Sequence, residues 1–259
     1  MTKELKQQEL NQQSAVEQKQ PNLLQQEKPK QEPLTGREVK RTFFAKVAIV
    51  GPSGSGKSYL SKTADKLTTG YINVENKPLP YRTEPFKYQG IPKNWAGFMK
   101  NLRDYAANPE IKRIIIDSQT MALSILNSEM KKNFTNWDVA KNYNTQVYEY
   151  LTFLKDIQKD VIVFSHDELL RIGDSGKQKR MVVHNKEYEG KVEEQFTIVL
   201  YTGTRIEDEK PKYFLRTFEE DTSTKVPEGM FPDKNGDNLL EIPNDAKYIF
   251  DAVEKYYSI

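Results

Sequence analysis

The segment Gly51–Ser58 constrains this chain more than any other part of its sequence. It reads Gly-Pro-Ser-Gly-Ser-Gly-Lys-Ser and follows the apolar run Phe43–Val50, which predicts a buried strand. The pattern G-x-x-x-x-G-K-[ST] between a strand and a helix is typical of a loop that binds phosphates. Its glycines let successive backbone N–H groups turn toward phosphate oxygens. The sequence therefore predicts an α/β domain that binds a nucleoside triphosphate; the alternative is a glycine-rich turn that binds nothing.

Every residue of this loop, and the one after it, is a candidate nucleotide contact. The Lys57 ammonium would reach the β- and γ-phosphates, which also makes Lys57 a candidate catalytic residue. The Ser58 hydroxyl would bind Mg²⁺. The predicted contacts are Gly51, Pro52, Ser53, Gly54, Ser55, Gly56, Lys57, Ser58 and Tyr59.

A second candidate for Mg²⁺ follows the apolar run Arg113–Ile116, which predicts another strand. Asp117 ends that strand, and a carboxylate in this place holds the metal ion through water in phosphate-loop proteins. The alternative role for Asp117 is to cap the helix predicted over Met121–Met130. The chain has no Cys and only two His, so Cys-ligated zinc is excluded and a His-built metal site is not expected.

Hydrolysis also requires a group that orients or activates water. Glu75 follows the predicted strand Tyr71–Val74, while Ser165 and His166 follow the predicted strand Val161–Phe164. Because the carboxyl ends of parallel strands meet at one edge of a sheet, we expect these side chains near the phosphate loop. Glu75 is the predicted catalytic carboxylate, and Ser165 and His166 are candidate sensors of the γ-phosphate. The alternatives are an exposed carboxylate and a His that caps a loop.

Strands that alternate with helices predict a mostly parallel sheet covered by helices on both faces. Two later strands, Thr197–Tyr201 and Lys212–Thr217, flank a predicted hairpin at Glu207–Pro211 and add antiparallel character. The predicted helices are Ser58–Leu67, Trp95–Tyr105, Met121–Met130, Val139–Ile157 and Asp245–Tyr257.

The N-terminal segment differs in composition from the rest. Nine Gln fall within the first 31 positions, mixed with Lys, Glu and Pro, and apolar residues there follow no period. We predict a disordered tail over 1–38, which could bind a protein partner, and one domain over 39–259. The net charge is only +2, so any nucleic-acid surface must be local. No apolar run is long enough for a membrane span, and a cytoplasmic location is expected.

These motifs together resemble the RecA-like branch of P-loop ATPases. More closely, the chain resembles phage-encoded RecA-like nucleotide-binding proteins linked to single-strand annealing and recombination. The matching features are Gly51–Ser58, Ile114–Ser118, Val163–His166, Lys186–Tyr201 and Thr222–Phe231. The resemblance implies a RecA-like fold, ATP as the nucleotide, Mg²⁺, single-stranded DNA as a partner, and a homo-oligomer in the form of a ring or filament.

The resemblance also suggests where DNA and a neighbouring subunit would make contact. RecA-like proteins place DNA-contacting loops after the central strands, and Arg171–Lys191 holds six basic residues against three acids. The candidate DNA contacts are Arg171, Lys177, Lys179 and Arg180; the alternative is a solvated loop. A basic residue from a neighbouring subunit completes the site in such ATPases, and Arg216 and Lys225 are the candidates. The alternative is that both are ordinary surface charges.

Two other functions are compatible with the motifs. The first is a nucleotide-switched adaptor or helicase-loading protein, whose ATPase activity would respond to a protein partner. The second is a small-molecule kinase, which is less favoured because no Arg-rich lid pattern is present and the placement of Glu75 suits attack by water.

Overall fold

The computed structural model describes residues 41, 43–172 and 176–258, and the predicted tail over 1–38 lies outside them. Eight of the described strands form one sheet, and β6 and β7 pair separately as a hairpin. In chain order the strands are β1 (Lys46–Val50), β2 (Thr69–Asn73), β3 (Tyr88–Gly90), β4 (Arg113–Asp117), β5 (Asp160–Ser165), β6 (Asp167–Ile172), β7 (Gly176–Met181), β8 (Ile198–Glu207), β9 (Lys210–Arg216) and β10 (Glu241–Pro243).

The sheet has the order β10-β9-β8-β1-β5-β4-β2-β3. Its pairs from β8 to β3 are parallel, whereas β8–β9 and β9–β10 are antiparallel. Val50, the last residue of β1, is in register with Ser165 of β5 and Tyr201 of β8. The chain after β1 therefore leaves the sheet at its centre. This arrangement confirms the predicted α/β architecture: a mostly parallel sheet flanked by helices, with late antiparallel strands.

Helices cover both faces of the sheet, which explains why the central strands are mostly apolar and do not alternate between apolar and polar residues. Strands β1, β2 and β5 are buried at every position. Helices α2, α3 and α4 pack on one face, and α1 and α5 pack on the other. None of the described helices is both long and apolar enough to cross a membrane. The helices are α1 (Lys57–Leu60), α2 (Trp95–Ala107), α3 (Gln119–Asn133), α4 (Trp137–Asp156) and α5 (Ala246–Tyr257).

The helix predicted over Ser58–Leu67 is shorter than expected. Helix α1 ends at Leu60, a 3₁₀ turn covers Ser61–Thr63, and Ala64 is extended. The Ser61 hydroxyl donates to the Ser58 carbonyl at 2.7 Å, and the Asp65 carboxylate accepts from the Leu67 N–H at 2.8 Å. Short polar side chains that bond to nearby backbone groups compete with helix continuation, which accounts for the early end.

The polar stretch after His166 was expected to contain loops, but it forms an antiparallel hairpin. Strands β6 and β7 pair from Asp167↔Met181 to Ile172↔Gly176. Most of β7 is partly or fully exposed, so its sequence lacks the apolar alternation that marks a half-buried strand. The hairpin contacts the segment after β9, where the Lys179 N–H donates to the Asp221 carbonyl at 2.8 Å.

Candidate functional site

The loop Gly51–Ser58 joins β1 to α1 at the centre of the sheet. Gly54 and Gly56 have φ values of 78° and 89°, a backbone region that is strained for residues with a Cβ. The Lys57 ammonium lies against the loop and donates to the carbonyls of Gly51 at 2.6 Å and Pro52 at 2.7 Å. Burial lowers the pKa of Lys57 to about 8, although the charge of Asp117 opposes this shift. The sequence motif thus takes the turned, glycine-dependent shape that it predicted.

Residues far along the chain support the loop, and the sequence did not identify them. The Thr202 hydroxyl donates to the Ser55 hydroxyl at 2.8 Å. The Asn244 amide donates to the Gly56 carbonyl at 2.8 Å. The Tyr213 ring lies directly on Gly56, since a Cβ there would be 2.6 Å from Tyr213 Cγ. No local pattern marks these three residues, because only the sheet order β10-β9-β8-β1 brings them to the loop.

Asp117 lies at the carboxyl end of β4 and is 7% exposed. Its Oδ2 accepts a hydrogen bond from the Tyr71 hydroxyl at 2.5 Å. Burial raises the pKa of Asp117 above its ordinary value, although hydrogen bonds from Tyr71 and Ser58 oppose the shift. The alternative capping role belongs to the next residue, because the Ser118 side chain is the one that accepts from the first turn of α3. Asp117 therefore has no capping role, and it lines the cavity beside the phosphate loop.

Ser58 and Asp117 are the donor set for the predicted Mg²⁺. Among the described residues, no group of three or more His, Cys, Asp or Glu side chains could enclose a metal ion. One hydroxyl and one carboxylate suit Mg²⁺ that keeps several waters and takes phosphate oxygens as further ligands. The residues thus fit a metal ion that arrives with a nucleotide.

Glu75 lies on a tight turn just after β2, where Asn76 has a φ of 51°. One carboxylate oxygen of Glu75 accepts from the Ser118 hydroxyl at 3.2 Å, and the other pairs with the Lys77 ammonium at 2.6 Å. His166 Nε2 lies 3.9 Å from the first of these oxygens. Partial burial alone would raise the pKa of Glu75, but Lys77 and Ser118 bring it below the ordinary value. Glu75 is thus held as a carboxylate by its neighbours.

The two sensor candidates at the end of β5 have different surroundings. Ser165 is fully buried, and its hydroxyl lies 3.1 Å from the Thr120 hydroxyl. His166 lines the same cavity as the phosphate loop and Glu75. Burial and the charge of Lys57 lower the pKa of His166, so its imidazole is neutral near pH 7. The structure therefore brings His166, and not the Ser165 side chain, into contact with the space where a ligand would lie.

The cavity around these residues has a volume of about 440 Å³. It brings together residues predicted to act on phosphates, metal and water with an apolar and aromatic wall. A phosphate chain at the loop would thus have the Lys57 ammonium and the carboxylates of Asp117 and Glu75 around it. The lining residues are Ser53, Gly54, Gly56, Lys57, Ser58, Tyr59, Asn73, Glu75, Lys77, Pro78, Leu79, Pro80, Asp117, His166 and Tyr213.

The four candidate DNA contacts lie on the β6–β7 hairpin. Arg171 and Lys177 are exposed and directly opposite each other in the register. Lys179 forms an ion pair with Glu219 at 3.0 Å, and Arg180 bonds to the Gln178 side chain. The hairpin therefore presents basic side chains to solvent, but at least one of them is already paired with a carboxylate.

Arg216 and Lys225, the candidates for the basic residue that would complete a neighbouring subunit's site, are called the finger candidates here. Both come from the chain after β8. Arg216, the last residue of β9, pairs with the same Oε1 of Glu219 that Lys179 contacts, at 2.6 Å. Lys225 is exposed, and its backbone pairs with that of Val199 in β8. Glu219 thus joins a finger candidate to a candidate DNA contact.

The sheet with a phosphate loop at its centre defines the class of this protein, a P-loop ATPase domain. The family model AAA_24, described as an AAA domain, matches residues 44–226, well over half of the chain. The chain therefore belongs to this AAA domain family. No curated protein matches the sequence.

Solved structures with low sequence identity resemble the chain in part. One is the flagellar accessory protein FlaH from Methanocaldococcus jannaschii, with 12% identity and a TM-score of 0.40 over 66% of this chain and 76% of that one. Another is a KaiC-like protein from the hyperthermophilic archaeon Pyrococcus horikoshii OT3. It has 13% identity and a TM-score of 0.39 over 70% of this chain and 83% of that one.

Proposed function

We propose that this protein is an Mg²⁺-dependent RecA-like ATPase that acts on single-stranded DNA, in phage-type recombination, annealing or replication. The observation that carries the hydrolytic part is the position of Glu75. Its carboxylate is bonded to Ser118, lies near His166 and borders the cavity that Lys57 and Asp117 also line.

The residues of the cavity divide the work of hydrolysis. The loop N–H groups and Lys57 would bind the phosphates of ATP, and Ser58 and Asp117 would hold Mg²⁺, which neutralises charge on the phosphates when bound. Glu75 would orient the attacking water. Its lowered pKa keeps the side chain ionised, so the carboxylate can accept a hydrogen bond from that water. His166 would contact the water or the terminal phosphate as a neutral donor or acceptor.

The proposed DNA contacts are the basic side chains of the β6–β7 hairpin, Arg171, Lys177, Lys179 and Arg180. Arg171 and Lys177 are exposed, so phosphates of a strand can approach them. Binding through such contacts weakens steeply with salt, because each phosphate that is neutralised releases counterions. Copies of the chain would assemble into a ring or filament, with Arg216 or Lys225 reaching the neighbouring site.

A specific observation supports a second function, a nucleotide-switched adaptor or helicase-loading protein. Glu219 pairs with the candidate DNA contact Lys179 and with the finger candidate Arg216, so part of the positive charge proposed for DNA and for a neighbouring subunit is compensated within the chain. In that case the ATPase activity would respond to a protein partner, bound through residues 1–38 for example, and not to DNA.

One ATPase assay separates these functions. We expect wild-type turnover to require Mg²⁺ and to rise with single-stranded DNA at low salt, together with an increase in molecular size measured by light scattering. The Glu75→Gln variant should lose about 10²- to 10⁴-fold in turnover and retain ATP binding, since general-base catalysis contributes roughly that much. Normal turnover in Glu75→Gln would eliminate Glu75 as the water-orienting group.

The DNA contacts need a charge-matched control. Replacing Lys177, Lys179 and Arg180 by Gln should weaken single-strand binding and reduce its salt dependence, whereas replacing Lys100, Lys247 and Lys255 by Gln should not. The control residues are exposed and lie on helices α2 and α5. Equal DNA affinity of the two triple variants would refute the hairpin as the DNA-binding site, and a wild-type ATPase that ignores DNA would favour the adaptor function.

A further inference from the structure

Part of the cavity wall is aromatic and has no role in the hydrolytic function described so far. The rings of Tyr59 and Tyr213 line the cavity, with their centroids 5.9 Å apart and their planes at 41°. Both side chains are partly exposed. Tyr81 stands edge-on to Tyr59 at 6.0 Å, and Leu79 and Pro80 continue the wall. Aromatic rings prefer offset-stacked or edge-to-face partners, and here the described protein groups leave part of each ring open.

The position of Tyr213 is fixed relative to the phosphate loop. Strand β9 pairs with β8 so that Tyr213 is opposite Thr204, two residues past Thr202, which contacts the loop. The β8–β9 hairpin thus continues beyond the end of β1, and the Tyr213 ring lies on Gly56. A residue at this position therefore lies beside the phosphate loop.

Tyr59 is also held in place by its neighbours. It follows Ser58 directly, so its backbone lies at the end of the phosphate loop. The Lys62 ammonium is 5.2 Å from the centroid of the Tyr59 ring and 3.2 Å from its hydroxyl. Tyr81 is anchored in turn, since its hydroxyl lies 2.6 Å from the Ser61 hydroxyl. The two cavity-lining rings therefore form an ordered surface at the loop.

We propose that Tyr59 and Tyr213 form the surface on which the base of the bound nucleotide stacks, an inference that rests on the proposed ATP-binding function. When the phosphates occupy the loop, the ribose tethers the base within reach of whatever surface borders the loop, and this surface is aromatic. Every nucleobase has a π-face, so a stacking surface binds the base without reading its edge. The phosphate loop supplies affinity for the phosphate chain, and the tyrosines add affinity for the nucleoside.

The test compares MgATP with magnesium tripolyphosphate, which has the phosphate chain and no base, in calorimetric titrations of the full chain. Tyr213→Ala should weaken MgATP binding by roughly 5- to 150-fold, as expected for the loss of one stacked base. Tripolyphosphate binding should change little. Tyr213→Phe keeps the ring and should bind both ligands as the wild type does. Tyr148→Ala removes an exposed tyrosine on α4 and is the matched control.

Because Tyr213 also packs on Gly56, Tyr59→Ala provides a second, independent variant. It should show the same selective loss of MgATP affinity. Unchanged MgATP affinity in both variants, or an equal loss for MgATP and tripolyphosphate, would overturn the stacking surface while leaving ATP binding by the loop intact. A wild-type chain that binds neither ligand would instead refute the proposed function itself.

Discussion

Gly54 and Gly56 are a matched pair for measuring how the β8–β9 hairpin constrains the phosphate loop. Both residues have a positive φ, 78° at Gly54 and 89° at Gly56. A Cβ added at Gly54 would meet no atom within 4 Å, whereas one added at Gly56 would lie 2.6 Å from Tyr213 Cγ. Gly54→Ala therefore introduces backbone strain alone, and Gly56→Ala introduces strain together with steric overlap.

The expected losses in the free energy of unfolding follow from the backbone strain and the steric overlap. A left-handed backbone costs a residue with a Cβ about 1–2 kcal/mol, so Gly54→Ala should lower the free energy of unfolding by about that amount. Overlap with a packed side chain adds about 1–3 kcal/mol, which makes the expected loss for Gly56→Ala about 2–5 kcal/mol. Urea unfolding of the nucleotide-free protein, followed by circular dichroism, measures both values.

A double variant isolates the overlap. Tyr213→Ala should reduce the cost of Gly56→Ala in free energy of unfolding by roughly the 1–3 kcal/mol assigned to the overlap, because the added methyl group then has room. The same Tyr213→Ala change should leave the cost of Gly54→Ala unchanged. Equal destabilisation by the two glycine substitutions, or no recovery in the double variant, would refute the inference that Tyr213 holds the loop.

Two further predictions concern stability. Arg41 donates two hydrogen bonds to Asp160, at 2.6 and 2.9 Å, so Asp160→Asn should lower the free energy of unfolding by about 3 kcal/mol. Asp104→Asn, which removes an exposed helical ion pair, should cost less than about 1 kcal/mol in the same urea titration. For His166, burial and the charge of Lys57 lower the pKa below 6.5 in the folded state, so the unfolded chain takes up the proton first as pH falls. The stability of the nucleotide-free protein should therefore decrease as pH falls through about 6.5, and His166→Gln should reduce that decrease; an equal or steeper decrease in the variant would contradict the assignment.

The sequence was most informative where one segment determines both structure and chemistry. The loop Gly51–Ser58 and the strand tip at Asp117 were predictable, because their spacing and the flanking apolar runs are local signals. The hairpin near Glu207–Pro211 was also predicted, and there β8 ends at Glu207 and β9 begins at Lys210. In each case a short stretch of residues contains the full pattern.

Other parts were not predictable because their cause lies outside the segment. Strand β3 has only three residues, and β6 and β7 are too exposed to show apolar alternation. The helix after the phosphate loop ends early because Ser61 and Asp65 bond to nearby backbone groups, a competition that periodicity does not register. The contact of Asn244 with Gly56 joins positions 188 residues apart. Such a contact depends on the whole topology, so no motif could predict it.

The two ends of the eight-stranded sheet limit how copies of this protein can join. The outermost strands, β3 and β10, have only three residues each, and β10 ends in Pro243, which has no N–H to donate. A chain that added itself to either edge would gain very few backbone hydrogen bonds, so growth by sheet extension, as in fibrils, is disfavoured. For the described part of the chain, the surfaces left for contact between copies are therefore the side chains on helices and loops.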